Sequence, residues 1–173
     1  MDIIILLTTF FLTVVFDLVI AIEIGIVLAS FMFMKRMSES IHIKNLTSET
    51  REEENLFDEE LMDIPKEVLL YEINGPLFFG AARQFQETVT NTDLKPKVII
   101  IRMRYVPLID ATGYQSIKEI VKTFKARGIK VIISGVNDNL RKDFQKNEMF
   151  SILEKDYVVK DIHEAIEIAK KKE

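Results

Sequence analysis

The sequence predicts an α/β fold, a mixed β-sheet covered by helices, preceded by an N-terminal transmembrane helical hairpin. Three observations carry this. First, no lysine or arginine precedes Lys35, and all 23 basic residues lie from there onward. Second, Ile3 to Met34 is almost wholly Ile, Leu, Val, Phe, Ala, Met and Thr, well past the roughly 18 apolar residues that mark a membrane-spanning candidate. Third, beyond Pro65 apolar strand-like runs alternate with amphipathic helical stretches across short turns, the pattern of a layered α/β domain.

The head does not suit a cleaved signal peptide, which needs a basic start and an apolar core about half as long. As one straight helix, Ile3–Met34 would run about 48 Å at 1.5 Å per residue, against a hydrocarbon core of about 30 Å. Two shorter helices, near Ile3–Phe16 and Leu18–Met37, broken at Asp17, fit better. Broken helices at membrane depth are tolerated when more protein buries them. Asp17 and Glu23 are the only charges inside this stretch. An Asp at a helix centre facing lipid costs about 2.5–3.5 kcal/mol. Asp17 is therefore expected in an interfacial turn and Glu23 against a helix outside the pair, with an ion path the competing role. Gly25, Ala29 and Ser30 offer small surfaces for a neighbouring helix. Met32, Met34 and Met37 have no harder ligand beside them and read as lipid-facing packing. Lys35-Arg36 at the end of the run favours a cytoplasmic side for the rest of the chain.

Residues 38–64 form an acidic linker, with Glu49, Glu52, Glu53, Glu54, Asp58, Glu59 and Glu60. A helix is expected around Ser48–Met62, Ser48 and Glu52 suiting its N-terminal cap, and Pro65 stops it. Residues 65–173 form the domain. Val68–Ile73 reads as a strand and Asn74-Gly75-Pro76 as a turn, so that Leu77-Phe78-Phe79 could return as an edge hairpin. A helix is expected near Ala81–Thr90. Val98-Ile99-Ile100-Ile101 is the continuous apolar run of a central strand buried on both faces. A loop leads to Asp110-Ala111-Thr112-Gly113, which opens a helix to about Arg127 with Ile117, Ile120, Val121 and Phe124 on one face. Gly128 caps it. Lys130–Ser134 is a strand, Asp138–Asn147 a helix, Tyr157–Val159 a last short strand and Asp161–Lys171 a last helix.

Composition excludes several functions. There is no cysteine, so disulfides, thiolate metal sites and a cysteine nucleophile are ruled out, and the two histidines, His42 and His163, lack ligand spacing. No metal or other cofactor is expected. From Lys35 onward acidic and basic residues nearly balance, which gives no footprint for nucleic acid. No G-x-x-x-x-G-K-[ST] loop and no nucleophile–base–acid set appears, which argues against an enzyme. The Asp110–Gly113 amides with Ser134-Gly135 are candidates for a weak phosphate cradle. Asp110-Ala111-Thr112-Gly113 itself has two interpretations. Asp110 or Thr112 caps the helix while Gly113 permits close approach, or Thr112 is a regulatory hydroxyl.

The wider order of motifs is similar to a STAS domain: strand, Asn74-Gly75-Pro76-Leu77-Phe78-Phe79-Gly80, helix, buried strand, Asp110-Ala111-Thr112-Gly113, helix, strand, Ser134-Gly135-Val136-Asn137. The resemblance covers about Pro65 to Lys172. In the anti-sigma-factor antagonists of that family the hydroxyl before the loop glycine is a phosphorylation target, a role that maps onto Thr112; Ala111 departs from their pattern. Leu6–Leu18 and Ala21–Ala29 resemble the last two membrane helices of SulP-type (sulfate permease family) anion transporters, whose C-terminal domain is STAS. The resemblance implies the C-terminal part of such a transporter, embedded in the cell membrane with a cytoplasmic STAS domain. It also implies missing upstream helices, a homodimer, and a regulatory protein partner at the STAS loop. The alternative is a membrane-anchored STAS binding module with Thr112 as a phosphoswitch.

Overall fold

A computed structural model describes residues 2–39, 41–46, 64–65, 67–78, 80–90 and 96–171. The chain divides into two compact units, Met1–Ser40 and Ile41–Glu173.

The first unit is the expected hairpin, α1 (Asp2–Val15) and α2 (Leu18–Glu39). Among the described residues, α2 is the one helix long and apolar enough to cross a membrane. The break falls at Phe16-Asp17, where the Asp17 carbonyl accepts the Ala21 N–H at 3.1 Å and so begins α2. The helices meet through small residues. Ala21 and Gly25 are buried against α1, and a Cβ added at Gly25 would lie 2.5 Å from Thr9 Cγ2. Ala29 and Ser30, by contrast, stay exposed. Three hydroxyls are satisfied within their own helices: Thr9 donates to Ile5 O at 2.7 Å, Thr13 to Thr9 O at 2.6 Å and Ser30 to Ile26 O at 2.8 Å. That self-satisfaction is what an apolar solvent demands of a spanning segment. Phe10, Phe11, Val14, Phe31 and Phe33 point outward.

The second unit is built on a four-stranded sheet in the order β1 (His42–Asn45), β2 (Val68–Asn74), β3 (Val98–Tyr105) and β4 (Lys130–Ser134). The β1–β2 pair is antiparallel; β2–β3 and β3–β4 are parallel. Helices α3 (Gly80–Thr90), α4 (Ala111–Ala126), α5 (Asp138–Lys146) and α6 (Ile162–Lys170) complete it. Strand alternation divides the core. Leu69, Tyr71, Ile73, Ile99, Ile101, Met103, Val131 and Ile133 pack on Phe85, Ile117, Phe124 and Phe144 of α3–α5. Val68, Leu70, Val98, Ile100 and Ile132 pack on Ile162, Ala165 and Ile166 of α6. Val98–Ile101 is buried on both faces, as its unbroken apolar run requires. Gly128, at φ +73°, ends α4 with its N–H on Lys125 O and the Ile129 N–H on Phe124 O, a Schellman arrangement.

Three local expectations change. The hairpin foreseen within Val68–Phe79 does not form. At Gly75 (φ 114°) the chain does not reverse: Gly75 N–H bonds outward to Tyr105 O at 3.1 Å and Leu77 N–H to Leu108 O at 2.9 Å. Leu77 therefore runs on beside β3's extension in a parallel bridge with Ile109. The other side of β2 is taken by His42–Asn45, a strand drawn from the stretch expected to be linker, paired His42 with Asn74 through Asn45 with Tyr71. The last strand shrinks to a 3-10 turn at Lys155–Tyr157 and one bridge, Ile133 with Val158. The helix expected at Ser48–Met62 lies outside the described residues.

Candidate functional site

The Asp110–Gly113 loop is held by the segment that failed to make a hairpin. β3 leaves the sheet through a tight turn, Val106 N–H on Met103 O at 3.0 Å, and the side chains of Val106 and Ile109 anchor the loop in the core. Leu77 then grips it from the side. Its N–H bonds Leu108 O, and its carbonyl accepts the Asp110 N–H at 3.3 Å. Asp110 is the N-cap of α4: its carboxylate accepts the Gly113 N–H at 2.7 Å and its carbonyl accepts the Tyr114 N–H at 3.0 Å. Of the two capping candidates, Asp110 is therefore the one used.

Gly113 is needed for a steric reason. A Cβ there would lie 2.3 Å from Leu77 O and 2.7 Å from Ile109 Cγ2. The helix start is thus pressed directly onto the Leu77 carbonyl. Ala111 and Thr112 are left exposed on the first turn. Thr112 presents a hydroxyl at the positive end of a 16-residue helix, a place that suits added negative charge, with the Asp110 carboxylate two residues away opposing it. Behind the loop, Tyr114 stacks edge-on with Phe144 at 5.9 Å, and burial, with the Asp143 charge adding, pushes its hydroxyl up to about 12. Among the described residues, the exposed large apolar side chains of this unit are Tyr105, at the end of β3, and Leu108, on the loop that follows it.

Asp17 and Glu23 belong to the hairpin unit and not to this loop. Asp17 sits in the turn between the helices, exposed. Glu23 is also exposed and lies two residues from both Ala21 and Gly25, which turns it about 200° around α2 from the face that packs on α1. Among the described residues no three His, Asp or Glu side chains gather as a metal site.

One constellation was not anticipated from the sequence. Glu72, Arg102 and Ser134 lie in register across β2, β3 and β4, all buried, with Arg102 Nη1 3.2 Å from Glu72 Oε2. The readable signal was a charged residue interrupting each of two apolar central strands.

The family model described as "STAS domain" matches residues 61–165. YvdB of Bacillus subtilis (strain 168), provisionally named a sulfate transporter, is 30% identical over 86% of this chain and 27% of its own length. The chain thus spans about a quarter of that curated relative. A crystal structure of a sulfate transporter family protein from Wolinella succinogenes is 36% identical over 64% of this chain and 90% of that one, with a TM-score of 0.60. The murine Slc26a9 anion transporter in its inward-facing state shares the fold over 98% of this chain and 28% of its own, at 16% identity and a TM-score of 0.73. The chain belongs to the STAS domain family, with SulP-type transporters as its relatives.

Proposed function

We propose that the chain is the C-terminal part of a SulP-family secondary anion transporter, of the sulfate or bicarbonate type. The hairpin supplies its last two membrane helices. The STAS unit lies in the cytoplasm, where it regulates, dimerises and docks with the membrane domain. The observation that carries this is one chain holding an apolar helical hairpin and a STAS domain, matched over 86% of its length by a transporter-named relative. Lys35-Arg36 after the apolar run supports the cytoplasmic side. The exposed Tyr105, Leu108 and Thr112 supply a surface for a regulatory partner on the STAS loop.

The test begins with the reading frame upstream of the Met1 codon. If it encodes further apolar helices, the joined protein should move labelled sulfate or bicarbonate across proteoliposomes; an upstream region coding for something unrelated would defeat the proposal. Because the chain has no cysteine, a single Thr112→Cys label reports sidedness. Protection from an impermeant maleimide in intact cells is expected, and labelling from outside would place the domain on the wrong side. A second function, a membrane-anchored phosphoswitch, is favoured by the exposed Thr112 at the α4 N-terminus. In that case Thr112→Asp changes the capture of a protein partner, and unchanged capture counts against it.

A further inference from the structure

Away from the Asp110 loop, two hollows border the segment Met149–Tyr157, which carries two 3-10 turns after α5. One holds about 550 Å³, and Arg141, Lys142 and Gln145 of α5, with Phe150 and Lys155, form its walls. The other holds about 250 Å³. Its apolar walls are the buried Val121, Val131 and Leu153 and the half-buried Ile152 and Tyr157, with Lys125 and Lys130 beside them. Glu154 lines the smaller hollow and Lys155, the next residue, the larger, so the two are neighbours along one segment. Independently of the transporter proposal, we infer that this strip docks an acidic peptide segment of a partner protein, with its carboxylates on the cations and an apolar side chain in the smaller hollow.

The charge on the strip is one-sided. Arg141, Lys142, Lys155, Lys125 and Lys130 share these walls with only Asp138 and Glu154. Asp138 is already met by Lys160 at 2.6 Å. Among the described residues, Arg141, Lys142 and Lys155 make no salt bridge. Clustered like charges repel one another, and carboxylates arriving from outside relieve that repulsion.

The cations are also held ready. Arg141 Nη1 donates to Val158 O at 2.7 Å, and its guanidinium lies 5.8 Å from the centre of the Phe150 ring. Lys155 Nζ lies 6.0 Å from the same ring, and Lys130 Nζ 5.3 Å from that of Tyr157. Side chains already positioned in this way lose less freedom when a partner binds.

The form of the surface selects a peptide over other anions. Cations spread along a segment suit several carboxylates in a row, whereas a single small oxyanion needs donors converging on one point. An apolar pocket among them takes an anchoring side chain, which a plane of lipid headgroups would leave unfilled.

The full chain in non-ionic detergent, at constant ionic strength, is titrated against a fluorescein-labelled peptide in which glutamates flank a single phenylalanine, and anisotropy is read. Saturable binding is expected. Lys142→Gln and Lys155→Gln, both at exposed positions, should each weaken it about threefold and together about tenfold, the scale of exposed ion pairs. Alanine in place of the peptide's phenylalanine should weaken it severalfold. Lys44→Gln, on β1 at the opposite edge of the sheet from β4, should leave it unchanged. The inference is overturned by an absence of saturable binding, by affinities that ignore both strip lysines or the phenylalanine, or by an equal loss in Lys44→Gln. Displacement of the peptide by sulfate at the same ionic strength also overturns it, by assigning a simple anion.

Discussion

Gly113→Ala separates steric contact from helix propensity, because the two push in opposite directions. Gly113 lies inside α4 at ordinary helical φ, so alanine should by propensity alone stabilise the protein by about 0.8–1 kcal/mol. The structure opposes this. The new Cβ would stand 2.3 Å from Leu77 O, whereas carbon settles against a carbonyl oxygen at roughly 3.3 Å or more. About 1 Å must be recovered by moving backbone, since Leu77 O is a main-chain atom and already accepts the Asp110 N–H. Overpacking of this kind costs about 1–3 kcal/mol, and a backbone obstacle puts it at the upper end. The net is a loss of about 2 kcal/mol, or about 8 °C in Tm for a domain this size. Gly128→Ala is the control. Nothing lies within 4 Å of a Cβ there, but φ is +73°, so the loss is about 1 kcal/mol from backbone strain alone. Thermal unfolding of the chain in detergent micelles, followed by circular dichroism, gives both values. Amide exchange then distinguishes the causes: Asp110 and Tyr114 should exchange faster in Gly113→Ala and not in Gly128→Ala. If Gly113→Ala leaves Tm unchanged or raises it, α4 does not abut Leu77 and the loop is not held by that carbonyl.

Removing the α4 cap with Asp110→Ala should cost about 1 kcal/mol and Asp110→Asn much less, a ranking that equal melts for the two variants would contradict. Glu72→Leu removes the carboxylate that faces the buried Arg102 guanidinium and should cost about 3–5 kcal/mol, while the double change with Arg102→Met recovers most of it; a double variant as unstable as the single one would show that the pair is not coupled. Tyr114 sets an alkaline limit. Its hydroxyl is pushed up to about 12 in the folded chain, while an unfolded tyrosine ionises near 10. Below about pH 10 both states hold the proton and stability is unaffected; between about 10 and 12 only the unfolded chain releases it, so stability falls as pH rises. Melts of Tyr114→Phe across that window should lack this part of the decline, and a variant that declines in parallel with the parent would refute the assignment.

Local rules made the helices and the central strand legible. The four-residue apolar run Val98–Ile101, the apolar face Ile117–Phe124 and the Gly128 stop each follow from periodicity or backbone conformation within one element. The sheet edge was not legible. Whether Leu77 turns back on β2 or runs on along β3 depends on which strand already occupies β2's other side. That strand, His42–Asn45, is a short polar piece with half its residues exposed, and nothing in its own pattern announces pairing. The same tertiary contact decided the site. Sequence left Asp110 and Thr112 as equal capping candidates, and the Leu77 carbonyl, by fixing the Asp110 amide, oriented Asp110 inward and left Thr112 outside.

The hairpin carries its own argument about what it must meet. Along α2 the fully buried residues that face α1 are the small ones, Ala21 and Gly25, and the Thr9 methyl fills the notch at Gly25. The Thr9, Thr13 and Ser30 hydroxyls bond to carbonyls one turn back in their own helices and ask nothing of a neighbour. Asp17 sits in a turn, where an interface can hydrate it. Glu23 has neither outlet. It is the sixth residue of α2, on a face turned from α1, and lipid contact carries a penalty that rises to about 3 kcal/mol at a helix centre. A protein partner bearing a donor or a positive charge removes that penalty, and α1 does not supply it. The two helices therefore satisfy each other's shape, while Glu23 stays exposed on the face that α1 does not cover.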